Sequence, residues 1–141
     1  SFTDARALFK KNREVIHVGR CDQKIAACLI ELGQGDLALE TAQRAVDVFE
    51  TAHDHHRETF ALREYGKAQI VLGKLDAGLG TLDEVLQAAT DEDPKDFELI
   101  VDVETRMAAV MRALGRIDEA DEIERRLVSI SEVLDEQGDC A

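Results

Sequence analysis

LGKLDAGLGTLDEVL, residues Leu72–Leu86, decides the reading of this chain. A Leu-Gly pair is followed by two spacer residues, an Asp, and a helical run that opens on a small residue. The same phrase stands upstream as LGQGDLALETAQRAV (Leu32–Val46) and downstream as LGRIDEADEIERRLV (Leu114–Val128). Its glycines, Gly33, Gly73 and Gly115, recur at intervals of 40 and 42 residues. A period of this size marks a repeat array rather than one unrepeated fold. Such arrays bind far more often than they catalyse, so the repetition indicates a kind of work without naming a partner.

Each copy reads as helix, tight turn, helix. Before the Leu-Gly lies an apolar stripe at helical spacing: Ile25, Leu29 and Leu32; Leu62, Tyr65 and Leu72; Met107, Met111 and Leu114. Small residues (Ala26, Gly66, Ala108) follow the first or equivalent stripe position, where a neighbouring helix would approach closely. The glycine supplies the left-handed conformation that ends a helix at no steric cost. Asp36, Asp76 and Asp118 then stand at the start of the next helix, where a carboxylate accepts from free amides and complements the dipole. A second set of small residues follows: Ala38, Gly78 and Ala120. The second helices are expected to bury Ala42, Ala45 and Val46; Leu82, Val85 and Leu86; Ile123, Leu127 and Val128.

Working outward, His53–His56 and Asp91–Pro94 read as loops between repeats, with Pro94 suited to the first turn of the following helix. Asp4–Arg13 reads as a helix of an earlier half-repeat, closed by a loop at Val15–Gly19. Ile130, Val133 and Leu134 extend the last helix, and Asp135–Ala141 reads as a frayed tail. The expected organisation is a leading half-repeat at 1–18, repeats at 19–58, 59–100 and 101–136, and a tail at 137–141. That makes about seven helices and no strands, an all-α helical-hairpin solenoid.

The composition agrees. The chain has 141 residues, 45% of them hydrophobic, with Pro94 its single proline. No apolar stretch approaches the roughly 18 residues of a membrane span. The net charge of −13 argues against a nucleic-acid surface, which needs a basic stripe. The charge is uneven: Ser1–Arg20 carries five bases against two acids, and Asp91–Glu104 seven acids against one base. Cys21 and Cys28 on one helix would lie about 10 Å apart, beyond disulfide reach. Three cysteines without a framework suit a reducing, cytoplasmic setting. Cys28 reads as a small buried hydrophobe, and Cys140 as a residue of a polar tail. The chain opens on Ser1 inside a helical pattern, as an excised domain would.

These residues resemble the tetratricopeptide repeat (TPR) family. Tyr65-Gly66 matches the large-then-small pair of its first helix. Gly33, Gly73 and Gly115 match its turn, and Ala38 and Ala120 its most characteristic small position, with Gly78 substituting. Ala45 matches another small position, where Val85 and Leu127 are larger than usual. The family's early aromatic is replaced by Asp22, Leu62 and Glu104. The commonest period is about 34 residues; the longer helices here resemble the bacterial forms of about 40 residues. The resemblance implies a right-handed superhelix whose first helices line a concave groove.

Projecting the family's groove positions onto this chain places Arg20, Gln23, Ala27 and Glu31, then Phe60, Arg63, Lys67 and Ile70, then Asp102, Thr105, Ala109 and Arg112 on the inner face. Arg20, Gln23, Phe60, Arg63, Lys67, Thr105 and Arg112 are the partner-binding candidates. Arg63, Lys67 and Arg112 read either as a basic strip for an acidic segment or C-terminal carboxylate, or as ordinary partners of neighbouring acids. The family's chaperone-tail clamp positions hold Gln23, Ala27, Glu64, Asp102 and Arg106. Only Arg106 is of the expected type, so that ligand is not expected.

Little other chemistry is written in the chain. His53, His55 and His56 surround Asp54 and could in principle hold a divalent metal, but nothing in the pattern supplies a closed ligand shell. No phosphate-binding loop or catalytic constellation appears, and neither enzyme activity nor a cofactor is expected. The reading is therefore a protein- or peptide-binding scaffold, a regulatory part of a larger cytoplasmic protein, with no nucleic acid or membrane partner. The alternative is self-association through the terminal helices: Val128 and Val133 lie off the main stripe, and a basic head with an acidic later half favours head-to-tail stacking.

Overall fold

The computed structural model describes residues 2–139, and side chains within 3–136. It contains six helices among the described residues: α1 (Phe2–Glu31), α2 (Gly35–Thr51), α3 (His55–Val71), α4 (Leu75–Asp91), α5 (Phe97–Ala113) and α6 (Ile117–Asp139). No strand occurs among them. The chain divides into two compact units, Ser1–Val85 and Leu86–Ala141.

The described helices number six, close to the expected count of about seven; no loop forms at Val15–Gly19, and α1 runs through it. Gly19 has a different task. A Cβ there would fall 2.9 Å from Val48 and 3.0 Å from Phe49. Glycine thus lets α1 lie against α2, and that contact outweighs its cost of about 1 kcal/mol inside a helix. Phe49 is fully buried and forms a cluster with Ala45, Val46 and Ala61, flanked by Ile16, Val48 and Leu62. The same principle governs α3 and α4: a Cβ on Gly78 would meet Ile70 at 2.6 Å and the Gly66 carbonyl at 3.2 Å. All six predicted small positions, from Ala26 to Ala120, are buried.

The turns are built as the repeat predicts. Gly33, Gly73 and Gly115 have φ of 73°, 81° and 81°. At Gly73 the amide donates to the Ile70 carbonyl (2.9 Å) and the Lys74 amide to the Gln69 carbonyl (2.9 Å). This closes the last carbonyls of α3. Asp36, Asp76 and Asp118 lie one step inside the next helix, in its first turn. They complement the dipole there, while the N-cap of α2 is Gln34, whose side chain makes no capping bond.

Several other expectations are corrected. Pro94 precedes α5, which starts at Phe97 under an Asp96 cap. Ile25 and Leu32 of the first stripe are exposed, and so is Val128, whereas Ala26 and Ile123 are buried as expected. Cys28 is exposed and, like Cys21, a free thiol. Residues 135–139 continue α6 rather than fray. Cys140 lies outside the described residues. In the second unit, Ala89, Leu99, Ile100, Val103, Met107, Ala108, Val110, Met111, Ala120 and Ile123 are buried.

Candidate partner-binding site

The segment between α2 and α3 builds the site in the first unit. Its turn repeats the glycine geometry without a glycine: His53 has φ of 56°. The His53 amide donates to the Glu50 carbonyl (3.1 Å), and the Asp54 amide to that of Phe49 (2.9 Å). Asp54 then caps α3. Its Oδ1 accepts from the Arg57 amide (3.1 Å), and its Oδ2 from Arg57 Nη1 (2.5 Å). Burial pushes the Asp54 carboxyl upward, but the two bonds from Arg57 and the charges of Arg57 and His56 outweigh it and hold it below its ordinary value.

This cap places one helical turn of side chains beside α1. Arg20 and Gln23 of α1, Asp54, and His56, Arg57 and Phe60 of α3 line an open, polar cleft of about 400 Å³. His56 stands edge-on to the Phe60 ring at 5.1 Å. Arg63 lies over the same ring with its guanidinium carbon 5.3 Å from the centroid. Phe60 is therefore held from two sides at the cleft wall. Arg20 is exposed. Of the seven predicted contact residues, Arg20, Gln23 and Phe60 line this cleft, and Arg63 stacks on Phe60 without lining it.

Arg63 and Lys67 are occupied by a buried acid. Glu64 is only 2% exposed. Its Oε1 accepts from Arg63 Nε at 3.3 Å. Lys67 Nζ stands 3.2 Å from Oε2, out of hydrogen-bond alignment, so charge alone holds that oxygen. The ordinary-pairing alternative thus describes these two cations.

Thr105 and Arg112 lie on α5, in the second unit. Thr105 is exposed, its hydroxyl donating to the Val101 carbonyl at 2.7 Å. Arg112 donates to Asp121 (2.5 Å) and, through Nη2 and Nε, to both oxygens of Glu124 (2.6 and 3.0 Å) on α6. Those hydrogen bonds raise the Arg112 pKa and lower that of Glu124. A second buried acid, Glu104, has Oε1 3.5 Å from Arg126 Nη1 and no hydrogen-bond partner at Oε2.

The three histidines of this segment are divided between the turn and the helix. His55 and His56 belong to the first turn of α3, not to a loop. His55 pairs with Glu58 at 3.3 Å. No group of three His, Cys, Asp or Glu suited to a metal ion occurs among the described residues. Sequence reasoning missed Arg57 and the capping role of Asp54. The Asp-x-x-Arg spacing at a helix start was the available signal. It also missed the burial of Glu64 and Glu104, which no local pattern announces.

Paired helices, left-handed residues at the turns and small residues at the crossings define a TPR-like repeat fold. A solved structure of the TPR domain of Arabidopsis FLU is similar to this chain, with a TM-score of 0.75 and 16% identity, covering 86% of this chain and 98% of that one. The likeness is one of fold and does not extend to a long-period bacterial type. No protein-family model and no curated protein sequence matches the chain. Among the described residues, no helix is long and apolar enough to cross a membrane.

Proposed function

We propose that this chain is a protein-interaction module that holds an acidic segment or C-terminal carboxylate of a partner in the cleft between α1 and α3. TPR-like folds serve generally as protein-binding scaffolds, and the convergence of Arg20, Gln23 and Phe60 carries the more specific reading. Arg20 supplies a charge for a carboxylate, Gln23 a donor and an acceptor for peptide backbone, and Phe60 a fixed apolar face beside them. Arg63 and Lys67 hold Glu64, and their contribution is to fix the α3 wall of the cleft. Thr105 and Arg112 are proposed contacts on the second unit in their own right. A cytoplasmic, regulatory role within a larger protein belongs to the same proposal.

The test is calorimetric titration with a short glutamate-rich peptide bearing a free C-terminal carboxylate. Arg20→Glu is expected to weaken binding at least tenfold, about 1.4 kcal/mol, with no change in thermal stability because Arg20 is exposed. Equal affinity for wild type and Arg20→Glu overturns the proposal.

A further inference from the structure

Two exposed apolar surfaces of this chain carry opposite charge. On α1, Leu8 and Phe9 are 61% and 64% exposed. The stretch Ala5–Arg13 around them contains Arg6, Lys10, Lys11 and Arg13 and no acid. On the second unit, Phe97, Ser129, Ile130, Val133 and Leu134 line an almost wholly apolar cleft of about 330 Å³. Phe97, Val133 and Leu134 are themselves about half exposed. Glu98 adjoins Phe97, and Glu132, Asp135 and Glu136 flank Val133 and Leu134; residues 127–136 contain no base.

An apolar patch left open to water is an interaction surface, and a rim of one charge selects a partner of the other. We infer that the Leu8–Phe9 face of one copy docks into the Phe97–Ile130–Val133–Leu134 cleft of a second copy. The apolar side chains fill the cleft, and Arg6, Lys10 and Arg13 meet Glu98, Glu132, Asp135 and Glu136 at its rim. The contact is heterologous: each copy offers one head and one tail, so association is open-ended rather than a closed two-fold pair. A few apolar side chains on each face place it among small, transient contacts, sensitive to concentration and salt. This inference is independent of the α1–α3 cleft and uses none of its residues.

Sedimentation equilibrium of the 141-residue chain tests it, with a head variant (Phe9→Glu) and a tail variant (Val133→Lys). Both positions are more than half exposed, and circular dichroism checks that each variant folds. The wild-type mass is expected to rise above the 15.6 kDa monomer with concentration and to return toward it in high salt. Each variant alone stays monomeric. An equimolar mixture forms a dimer that stops there, because the tail variant retains a sound head and the head variant a sound tail. A wild type that is monomeric at every concentration overturns the inference. So does association that survives either single variant, which indicates another surface, or a mixture that stays monomeric while wild type associates, which indicates a two-fold pair.

Discussion

The turn at Gly73 and the turn at His53 follow the same backbone path with different residues. Both place one residue at positive φ, 81° and 56°. Both close the preceding helix with two amides reaching back, at 2.9 Å and 2.9 Å for Gly73 and Lys74, and at 3.1 Å and 2.9 Å for His53 and Asp54. At Gly73 the following residue is a lysine, and the next acid along the chain, Asp76, lies in the first turn of α4. At His53 the following residue is Asp54, which caps α3 and grips Arg57. The backbone requirement is common to both turns. The side chains that meet it also decide whether the turn is only a turn or one wall of a cleft.

The largest effect should come from removing glycine's freedom where nothing else changes. A Cβ on Gly73 would meet no atom within 4 Å, so Gly73→Val is strained by conformation alone and should cost about 2–3 kcal/mol. Denaturant unfolding measures it; a loss no larger than at an exposed helix position breaks the equivalence drawn between the turns.

Asp54→Ala should cost about 1–2 kcal/mol at neutral pH through loss of the cap. Its pH dependence has a definite sign. The carboxyl is held below its ordinary value in the folded state, so its contribution is present above the unfolded pKa of about 3.9 and is lost as pH falls through the folded value. Wild type and Asp54→Ala should converge in melting temperature in acid. A gap that persists there means the loss is packing rather than charge.

His53→Gly should move the other way, stabilising by about 0.5–1 kcal/mol, because glycine adopts positive φ without the penalty of a side chain. Thermal melts decide it, and a loss of stability would show that the histidine ring contributes more than its backbone strain costs. The smallest effect is expected in the second unit. Glu124 is exposed, and the Arg112 hydrogen bond lowers its pKa. Glu124→Gln should be slightly destabilising at neutral pH, and the difference should fade below about pH 4.3, the ordinary glutamate value.

The same pair of turns shows what the sequence could disclose. Gly33, Gly73 and Gly115 advertise a left-handed residue, and with the small residues at the crossings they made the helical-hairpin fold legible. His53 performs the same backbone task under a residue type that does not announce it, so the α2–α3 junction read as a polar loop with metal-like histidines. Gly19 misled in the opposite direction: its sequence cue is shared by turns and by close helix contacts, and only the proximity of Phe49 separates them. Exposure of Ile25, Leu32 and Val128 was hidden because periodicity identifies an apolar face without saying whether anything covers it. That Arg20, Gln23 and Phe60 would face the same side was legible through repeat register. The engagement of Arg63 and Lys67 was not, because it depends on the burial of Glu64.

The proposed partner surface is the α1–α3 cleft, not the residues of the repeat signature. Backbone amide NMR during titration with the glutamate-rich peptide tests it most directly. Shifts are expected to concentrate at Arg20, Gln23, His56, Arg57 and Phe60, and to vanish in Arg20→Glu. Shifts centred elsewhere, or unchanged in that variant, would contradict it.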